Sequence, residues 1–344
     1  MKIRIGTRRS VLAMTQTGLV ADLLRAQGHE VELIEITSVG DRSQAAGTPI
    51  TGASSTGIFV SALRDALLAE EIDVAVHSLK DLPTYPQNGI VLAAIPARED
   101  PRDIVVARDG LTLGELPQGA RVGTGSPRRA AQIMALGLGL DLVGVRGNVD
   151  TRIGKVRAGE YDAVVLARAG LARIDRLDEV TEVLDPLQVL PAPGQGALAV
   201  ERRADESNAG LVAALAALDD PSTRAAVEAE RSVLATLEGG CAAPIGALAE
   251  VVEGEDGPEL WLRAVALSPD GDLSVRLSAS GPIEDAAGVG VRLAQEMLDR
   301  GAAELTDVDR TGDTPGNDPK NDAAKDMGGE SHRAAPELDK VHKA

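Results

Sequence analysis

Short apolar runs alternate with amphipathic stretches from Lys2 to Leu218, and this alternation limits the possible folds more than any other feature of the chain. Runs of strand length that are followed by stretches of helical period are typical of βαβ units and of mostly parallel sheets. Strands are predicted at 2–5, 31–37, 73–77, 91–95, 104–107, 121–123, 141–145, 162–167 and 197–201, and helices at 11–26, 58–69, 128–136, 151–158 and 211–218. The predicted fold class is therefore α/β.

Two segments interrupt the alternation, one near 96–103 with two prolines and a string of charges, and one at 190–196 with prolines and glycines. Breaks of this kind mark domain boundaries and hinges, so the block between them is predicted to be inserted into another domain. After Pro221 a long helix precedes three strand-like runs and a final helix, which predicts a smaller α+β domain. The predicted domains are 1–98 together with 197–218, then 99–196, then 219–306. Residues 307–344 lack periodicity and are predicted to be a disordered tail.

Composition excludes several classes of function. The 53 acidic and 35 basic side chains give a formal charge of -18, and only four of the 344 residues are aromatic, so nucleic acid is not expected as a partner. No apolar run approaches the roughly 20 residues of a membrane span, and the charged start lacks the apolar region of a secretory signal. The single cysteine, Cys241, fits a reducing compartment, so the expected location is the cytoplasm. The four histidines are scattered, and no metal site is expected.

Arginines nevertheless collect at three turns of this acidic chain, 7–10, 126–129 and 146–152. Each turn follows a predicted strand and opens a predicted helix, where free backbone N–H groups and the helix dipole favour an anion. Guanidinium groups bind carboxylate or phosphate with paired hydrogen bonds. Because open α/β sheets bind ligands at such turns, the pattern predicts a ligand with several negative charges. The alternative at each turn is a solvated surface ion pair with a nearby acid.

Two further residues carry candidate chemistry. Asp81 follows the apolar run 74–76 and lies beside Lys80, where a carboxylate among cations is able to stabilise a developing cation and to exchange a proton with it. The alternative for Asp81 is a turn-capping residue. Cys241 follows two glycines, and a loop thiol there is able to bond covalently to a molecule held by the arginines. The alternative for Cys241 is a small buried hydrophobe.

From about Ile3 to Leu305 the chain resembles the porphobilinogen deaminases, also called hydroxymethylbilane synthases. The resemblance rests on seven segments in the family's order, which are 5–10, 76–81, 98–103, 123–129, 146–152, 190–196 and 237–241. It implies two lobes like those of periplasmic binding proteins, with mixed, mainly parallel sheets and the active site between them, and a smaller α+β C-terminal domain. It also implies a transferase that condenses four porphobilinogen units head to tail, releases ammonia and hydrolyses the product to hydroxymethylbilane.

The resemblance also assigns residues to roles. It makes Asp81 the catalytic carboxylate and Cys241 the thioether attachment of one dipyrromethane cofactor per chain. The other residues that match cofactor-binding positions are Lys80, Thr124, Ser126, Arg128, Arg129 and Arg146, and those that match substrate-binding positions are Arg8, Ser10, Arg152 and Arg173. Thr56 stands where the family often has a lysine. The implied partner is porphobilinogen, without nucleic acid or membrane, and a monomer is favoured. A non-catalytic, bilobal anion-binding module is the alternative from another functional class.

Overall fold

The computed structural model describes residues 1–36, 55–237, 243–254 and 257–306, although the side chains of residues 55–59 and 306 are not described. Two sequence-based expectations lie outside these ranges: the anchor Cys241 and the disordered tail at 307–344. The side chain of Thr56 is likewise not described. The described residues all belong to one compact unit, Met1–Val308.

The strands and helices follow one another in the order that the alternation predicts. The strands are β1 (Lys2–Thr7), β2 (Glu30–Glu35), β3 (Val74–Ser78), β4 (Ile90–Ala94), β5 (Asp103–Ala107), β6 (Arg121–Gly123), β7 (Asp141–Val143), β8 (Ala163–Ala167), β9 (Glu182–Val183), β10 (Leu198–Arg203), β11 (Ile245–Gly254), β12 (Gly257–Leu267) and β13 (Ser274–Pro282). The helices are α1 (Val11–Ala26), α2 (Ser55–Leu68), α3 (Pro127–Ala135), α4 (Val149–Arg157), α5 (Arg168–Arg173), α6 (Ala209–Ala216), α7 (Pro221–Thr236), α8 (Ala286–Asp299) and α9 (Ala302–Thr306). The sequence patterns missed β9, α5 and α9, which are too short to show a period.

The first two sheets share one pattern. Their strand orders are β2-β1-β3-β10-β4 and β7-β6-β8-β5-β9. In each sheet four strands run in one direction, while the remaining strand, β10 or β5, lies antiparallel between two of them. The prediction of two α/β lobes with mixed, mainly parallel sheets is confirmed. The sequence did not indicate that β10 and β5 are the antiparallel strands.

Each antiparallel strand is the first strand that the chain forms after it crosses from the other lobe. The chain leaves the first sheet after β4 and enters the second as β5, and it leaves the second sheet after β9 and returns as β10. The two connections, 95–102 and 184–197, contain the proline-rich segments that interrupt the sequence pattern. Both connections therefore run between the lobes, and they touch each other where the backbone N–H of Glu99 donates to the carbonyl oxygen of Gly196 at 3.2 Å.

The third sheet, β11-β12-β13, is entirely antiparallel and has helices on one face. Its inward side chains pack with apolar side chains of α7 and α8 around Val233, Leu262 and Leu293, all buried. Part of the opposite face meets the second lobe, where Leu248 and Val265 pack against residues of α3 and the second connection. The predicted α+β C-terminal region is confirmed, and it contacts the inserted lobe directly.

Candidate functional site

The turn between β1 and α1 has the geometry predicted from its sequence. Ser10 is the N-cap of α1, and its side-chain oxygen accepts a hydrogen bond from the backbone N–H of Ala13 at 3.3 Å. This cap satisfies one of the free N–H groups at the helix start. Arg8 precedes the cap and lines a cavity at the carboxyl ends of β1 and β3.

The turn between β6 and α3 brings two arginines inside the protein. Ser126 is the N-cap of α3, Pro127 occupies the first helical position, and the hydroxyl of Thr124 accepts a hydrogen bond from the Ser126 N–H at 3.2 Å. Arg128 and Arg129 follow at the start of the helix and are only 4% and 6% exposed. They are therefore not the solvated surface pairs of the alternative interpretation.

The third turn joins β7 to α4. Its N-cap is Asn148, whose side-chain oxygen accepts a hydrogen bond from the Thr151 N–H at 2.8 Å. The Nε of Arg152 donates to the carbonyl oxygen of Gly147 at 2.8 Å, which ties the guanidinium back to the turn. Arg146 is exposed, so its side chain is available to a ligand that reaches this edge of the lobe.

Asp81 lies in the short 3-10 turn Leu79–Asp81, immediately after β3. It lines a cavity of about 250 Å³ together with Arg8, Ser10, Leu12, Ala13, Gln16, Val60, Leu63, Val76, His77 and Ser78. Burial raises the pKa of the Asp81 carboxyl, although the charges of Lys80 and Arg8 act in the opposite direction. A carboxylate whose pKa is raised in this way is suited to proton exchange as well as to charge stabilisation.

Asp103, at the start of β5, is the acidic centre of the arginine cluster. It is 0% exposed, and its two oxygens lie 2.8 Å from guanidinium nitrogens of Arg128 and Arg129. Burial alone would raise the pKa of Asp103, but the two guanidinium groups outweigh it and hold that pKa well below its usual range. Burial also lowers the pKa of Arg128. One carboxylate thus compensates two buried cations.

Gln195, in the second connection, links this cluster to the first lobe. Its Nε2 donates to Asp103 at 2.8 Å, and its Oε1 accepts hydrogen bonds from Lys80 at 3.2 Å and from Arg129 at 3.4 Å. Burial lowers the pKa of Lys80 to about 8, against the opposing charge of Asp81. Cations from both lobes therefore converge on one amide group beside Asp81.

Two more of the expected arginines lie close to this network. Burial lowers the pKa of Arg152, and the charge of Arg129 lowers it further. Burial also lowers the pKa of Arg173, whose guanidinium donates to the carbonyl oxygen of Gly196 at 2.5 Å. Within the ranges that the structure describes, neither Arg152 nor Arg173 forms an ion pair. The charge of Glu99 acts on Arg173 without a direct pair. Partly buried cations without a paired acid can bind anionic groups of a ligand.

Sequence reasoning missed Asp103 and Gln195 as site residues. Both lie in segments with a sequence signal, 98–103 and 190–196, but that signal predicts a domain boundary and a family resemblance, not a site residue. The signal available was an acidic residue at the start of the apolar strand β5 and an amide inside the proline- and glycine-rich second connection. Among the described residues no group of acidic or histidine side chains is arranged to hold a metal ion. None of the described helices has the length and apolar content to cross a membrane.

Comparison with known proteins gives two family matches that together span most of the chain. Residues 3–210 match the family described as porphobilinogen deaminase, dipyromethane cofactor binding domain, and residues 224–299 match porphobilinogen deaminase, C-terminal domain. Porphobilinogen deaminase 1 of Streptomyces coelicolor is 59% identical over 313 residues, which cover 88% of this chain and 97% of that protein. Porphobilinogen deaminase of Mycobacterium tuberculosis is 57% identical over 308 residues, covering 88% and 98%.

Among solved structures, the chain is similar to a methionine-binding lipoprotein of Bacillus subtilis described as putative, with a TM-score of 0.39 and 13% identity over 63% of this chain and 89% of that one. A periplasmic binding protein of Salmonella typhimurium has a TM-score of 0.37 and 15% identity, covering 65% and 93%.

Proposed function

The chain belongs to the porphobilinogen deaminase family, and we propose that Asp81 and the cations around it carry out that family's reaction. The observation that supports this proposal best is the network through Gln195, which joins Lys80 of the first lobe to Arg129 and Asp103 of the second. A reaction on a substrate with several carboxylates needs fixed cations beside a catalytic acid or base. In this network Lys80 is next to Asp81 in the chain, and Arg129 binds the same Gln195 oxygen as Lys80.

The residues of the cluster fit a dipyrromethane cofactor that carries acidic side chains. Arg128 has a buried Nε atom with no hydrogen-bond partner among the described residues, so a donor remains available inside the protein. The cofactor supplies a bound primer to which the substrate units are joined. We propose that Lys80, Thr124, Ser126, Arg128, Arg129 and Arg146 hold its carboxylates, and that Cys241 attaches it through a thioether. Cys241 lies outside the described residues, in the segment that links α7 to β11.

We assign the chemical step on porphobilinogen to Asp81. When ammonia leaves the substrate, positive charge develops on the ring system that remains, and a fixed carboxylate stabilises that charge more strongly as it forms. The raised pKa of Asp81 also allows it to pass a proton between the substrate and the leaving group. Half-burial restricts water around the carboxylate, which strengthens both effects.

We propose that Arg8, Ser10, Arg152 and Arg173 bind the carboxylates of the incoming substrate and of the growing chain. Arg8 and Ser10 line the same cavity as Asp81. Arg152 and Arg173 are partly buried and form no ion pair in the described part of the chain, so their charges favour an anionic ligand. The specific reaction that we propose is that of a hydroxymethylbilane synthase. This transferase joins four porphobilinogen units and releases the linear product by hydrolysis.

The proposal extends to organisation and location. The domain limits proposed are 1–98 with 197–218, then 99–196, then 219–306, because each of these ranges contributes the strands of one sheet. A monomeric enzyme in the cytoplasm is proposed on the family resemblance, and the single cysteine of the sequence agrees with a reducing compartment.

The test combines intact mass with turnover. The purified wild-type protein, from a host that makes porphobilinogen, is expected to carry the added mass of two linked pyrroles, and Cys241→Ser is expected to lack it. Asp81→Ala is expected to keep the fold and to lose nearly all turnover of porphobilinogen, while Asp22→Ala, at a surface ion pair with Arg25, serves as the matched control with normal turnover. An unmodified wild-type mass with tight binding of the substrate and no turnover would favour the binding module instead.

A further inference from the structure

Helix α7 of the C-terminal region makes direct contact with the turn that carries Asp81. Arg231 on this helix donates hydrogen bonds from Nη1 to the carbonyl oxygens of Leu79 at 3.4 Å and of Leu82 at 3.1 Å. Its Nη2 donates to the carbonyl oxygen of Pro83 at 2.6 Å. Because Asp81 lies between Leu79 and Leu82, one side chain holds the backbone on both sides of the proposed catalytic residue.

The charge of Arg231 is compensated by backbone dipoles. Burial lowers the pKa of Arg231, and the charge of Arg64 lowers it further, while the charge of Glu201 acts in the opposite direction. In the described ranges Arg231 forms no ion pair, so the three carbonyl oxygens are its hydrogen-bond acceptors. A planar guanidinium presents several donors in a fixed fork, and it can bind three acceptors of one turn where a lysine cannot match the geometry.

The helix that carries Arg231 is itself fixed to both connections between the lobes. The adjacent residue, Glu230, is fully buried and accepts hydrogen bonds from Arg98 at 2.7 and 3.0 Å and from the N–H of Gly194 at 2.6 Å. It also accepts one from the N–H of Ala249 in β11 at 2.9 Å. Glu230 therefore fixes the position of α7 relative to both connections, and Arg231 fixes the turn that carries Asp81 relative to α7.

We propose that Arg231 is a positioning residue for the reaction, because it fixes residues 79–83 against α7 and so keeps the Asp81 carboxylate in place beside the substrate. This inference rests on the role proposed above for Asp81. Helix α7 also leads directly into the segment that contains Cys241. The same helix thus supports the catalytic turn and begins the segment to which the cofactor is proposed to be attached.

The first test is Arg231→Gln in enzyme whose intact mass shows a full complement of cofactor. A misplacement of about 1 Å in a catalytic group can reduce the rate by roughly 100-fold, so kcat is expected to fall about 10- to 100-fold while KM changes little. Hydrogen–deuterium exchange at residues 79–83 is expected to rise. Arg224→Gln is the matched control, because Arg224 lies on the same helix and pairs with Asp219 and Glu228 instead of the turn. It is expected to keep the wild-type kcat.

The conservative variant and a double variant separate positioning from general stability. Arg231→Lys keeps the charge without the fork, and its kcat is expected to lie between those of the wild type and Arg231→Gln. In the Asp81→Ala background, Arg231→Gln is expected to cost no further turnover, since Arg231 acts through Asp81. If Arg231→Gln does not fold, Arg231→Lys decides alone, and a wild-type kcat in that variant overturns the inference.

Failure of this inference is distinguishable from failure of the proposed function. Normal turnover in Asp81→Ala would remove Asp81 from the mechanism, whatever Arg231 does. Loss of turnover in Asp81→Ala together with a wild-type kcat in a destabilised Arg231→Gln would show that Arg231 only contributes to stability.

Discussion

The replacement Asp103→Asn tests the arginine cluster most directly. The side chain keeps nearly the same shape, but the carboxylate that compensates Arg128 and Arg129 loses its charge. The amide group of the variant side chain must also place its N–H donors opposite a guanidinium, or rotate away and lose a hydrogen bond. Two buried arginines are then left with no acidic partner at this position, which is the unfavourable case for a buried ion pair.

The size of the effect follows from the burial of the three residues, none of which is more than 6% exposed. Removal of one partner from a buried ion pair costs about 3–5 kcal/mol of unfolding free energy. With a slope of about 2 °C per kcal/mol for a protein of this size, the melting temperature is expected to fall by roughly 6–10 °C. The control Asp162→Asn removes a more exposed carboxylate, paired with Arg108, in the same lobe and is expected to cost about 0.5–1 kcal/mol.

The dependence of stability on pH provides a second measurement. The folded-state pKa of Asp103 is depressed, so its contribution to stability is fully present above the unfolded pKa of about 3.9 and is lost as the pH falls below that value toward the folded pKa. Thermal unfolding followed by circular dichroism at pH 7 should therefore separate Asp103→Asn from the wild type, and the difference should shrink below about pH 4. Equal melting temperatures for the variant and for Asp162→Asn at pH 7 would refute the reasoning.

Two further predictions concern Lys80 and Gly196. Because the pKa of Lys80 is lowered to about 8, this side chain loses its charge as the pH rises through that value. The kcat/KM of the wild type is therefore expected to decline above pH 8, and that of Lys80→Met is expected not to. The same decline in the variant would exclude Lys80 as its cause. Gly196 has a φ of +88°, and a Cβ there would lie 2.2 Å from the carbonyl oxygen of Glu99. Gly110 has a similar φ of +74° but open space around the Cβ position. Gly196→Ala is therefore expected to lower the melting temperature by much more than Gly110→Ala does. Equal losses in the two alanine variants would contradict the close approach.

Local sequence patterns were sufficient to predict the strands and helices next to the three arginine turns and Asp81, but not α5, which carries Arg173. The three turns at 7–10, 126–129 and 146–152 connect a strand to a helix as predicted, and in the structure Ser10 and Ser126 cap the helices that follow. Such features depend on neighbours in the sequence, because a cap bonds within its own helix turn. The apolar period likewise predicted where the parallel strands lie.

Contacts between distant segments could not be predicted in the same way. Asp103 pairs with Arg128 across 25 residues, and Gln195 reaches Lys80 across 115, so neither contact leaves a local period. The same reason applies to β5 and β10, whose antiparallel position depends on which lobe the chain has just left. The burial of Arg128 and Arg129 follows from these long-range pairings, and a count of charges in the sequence could not distinguish it from a surface position.

The strengths of the contacts around Gln195 differ in a way that suits a growing ligand. The pairs of Arg128 and Arg129 with Asp103 lie within residues 99–196, so they do not depend on how the lobes are arranged. Lys80 reaches the cluster through a neutral amide at 3.2 Å, which is a weaker bond than an ion pair. If Lys80 binds the cofactor as proposed, a ligand carboxylate would replace Gln195 as its partner, while the ion pair of Arg98 with Glu230 holds the first connection on α7.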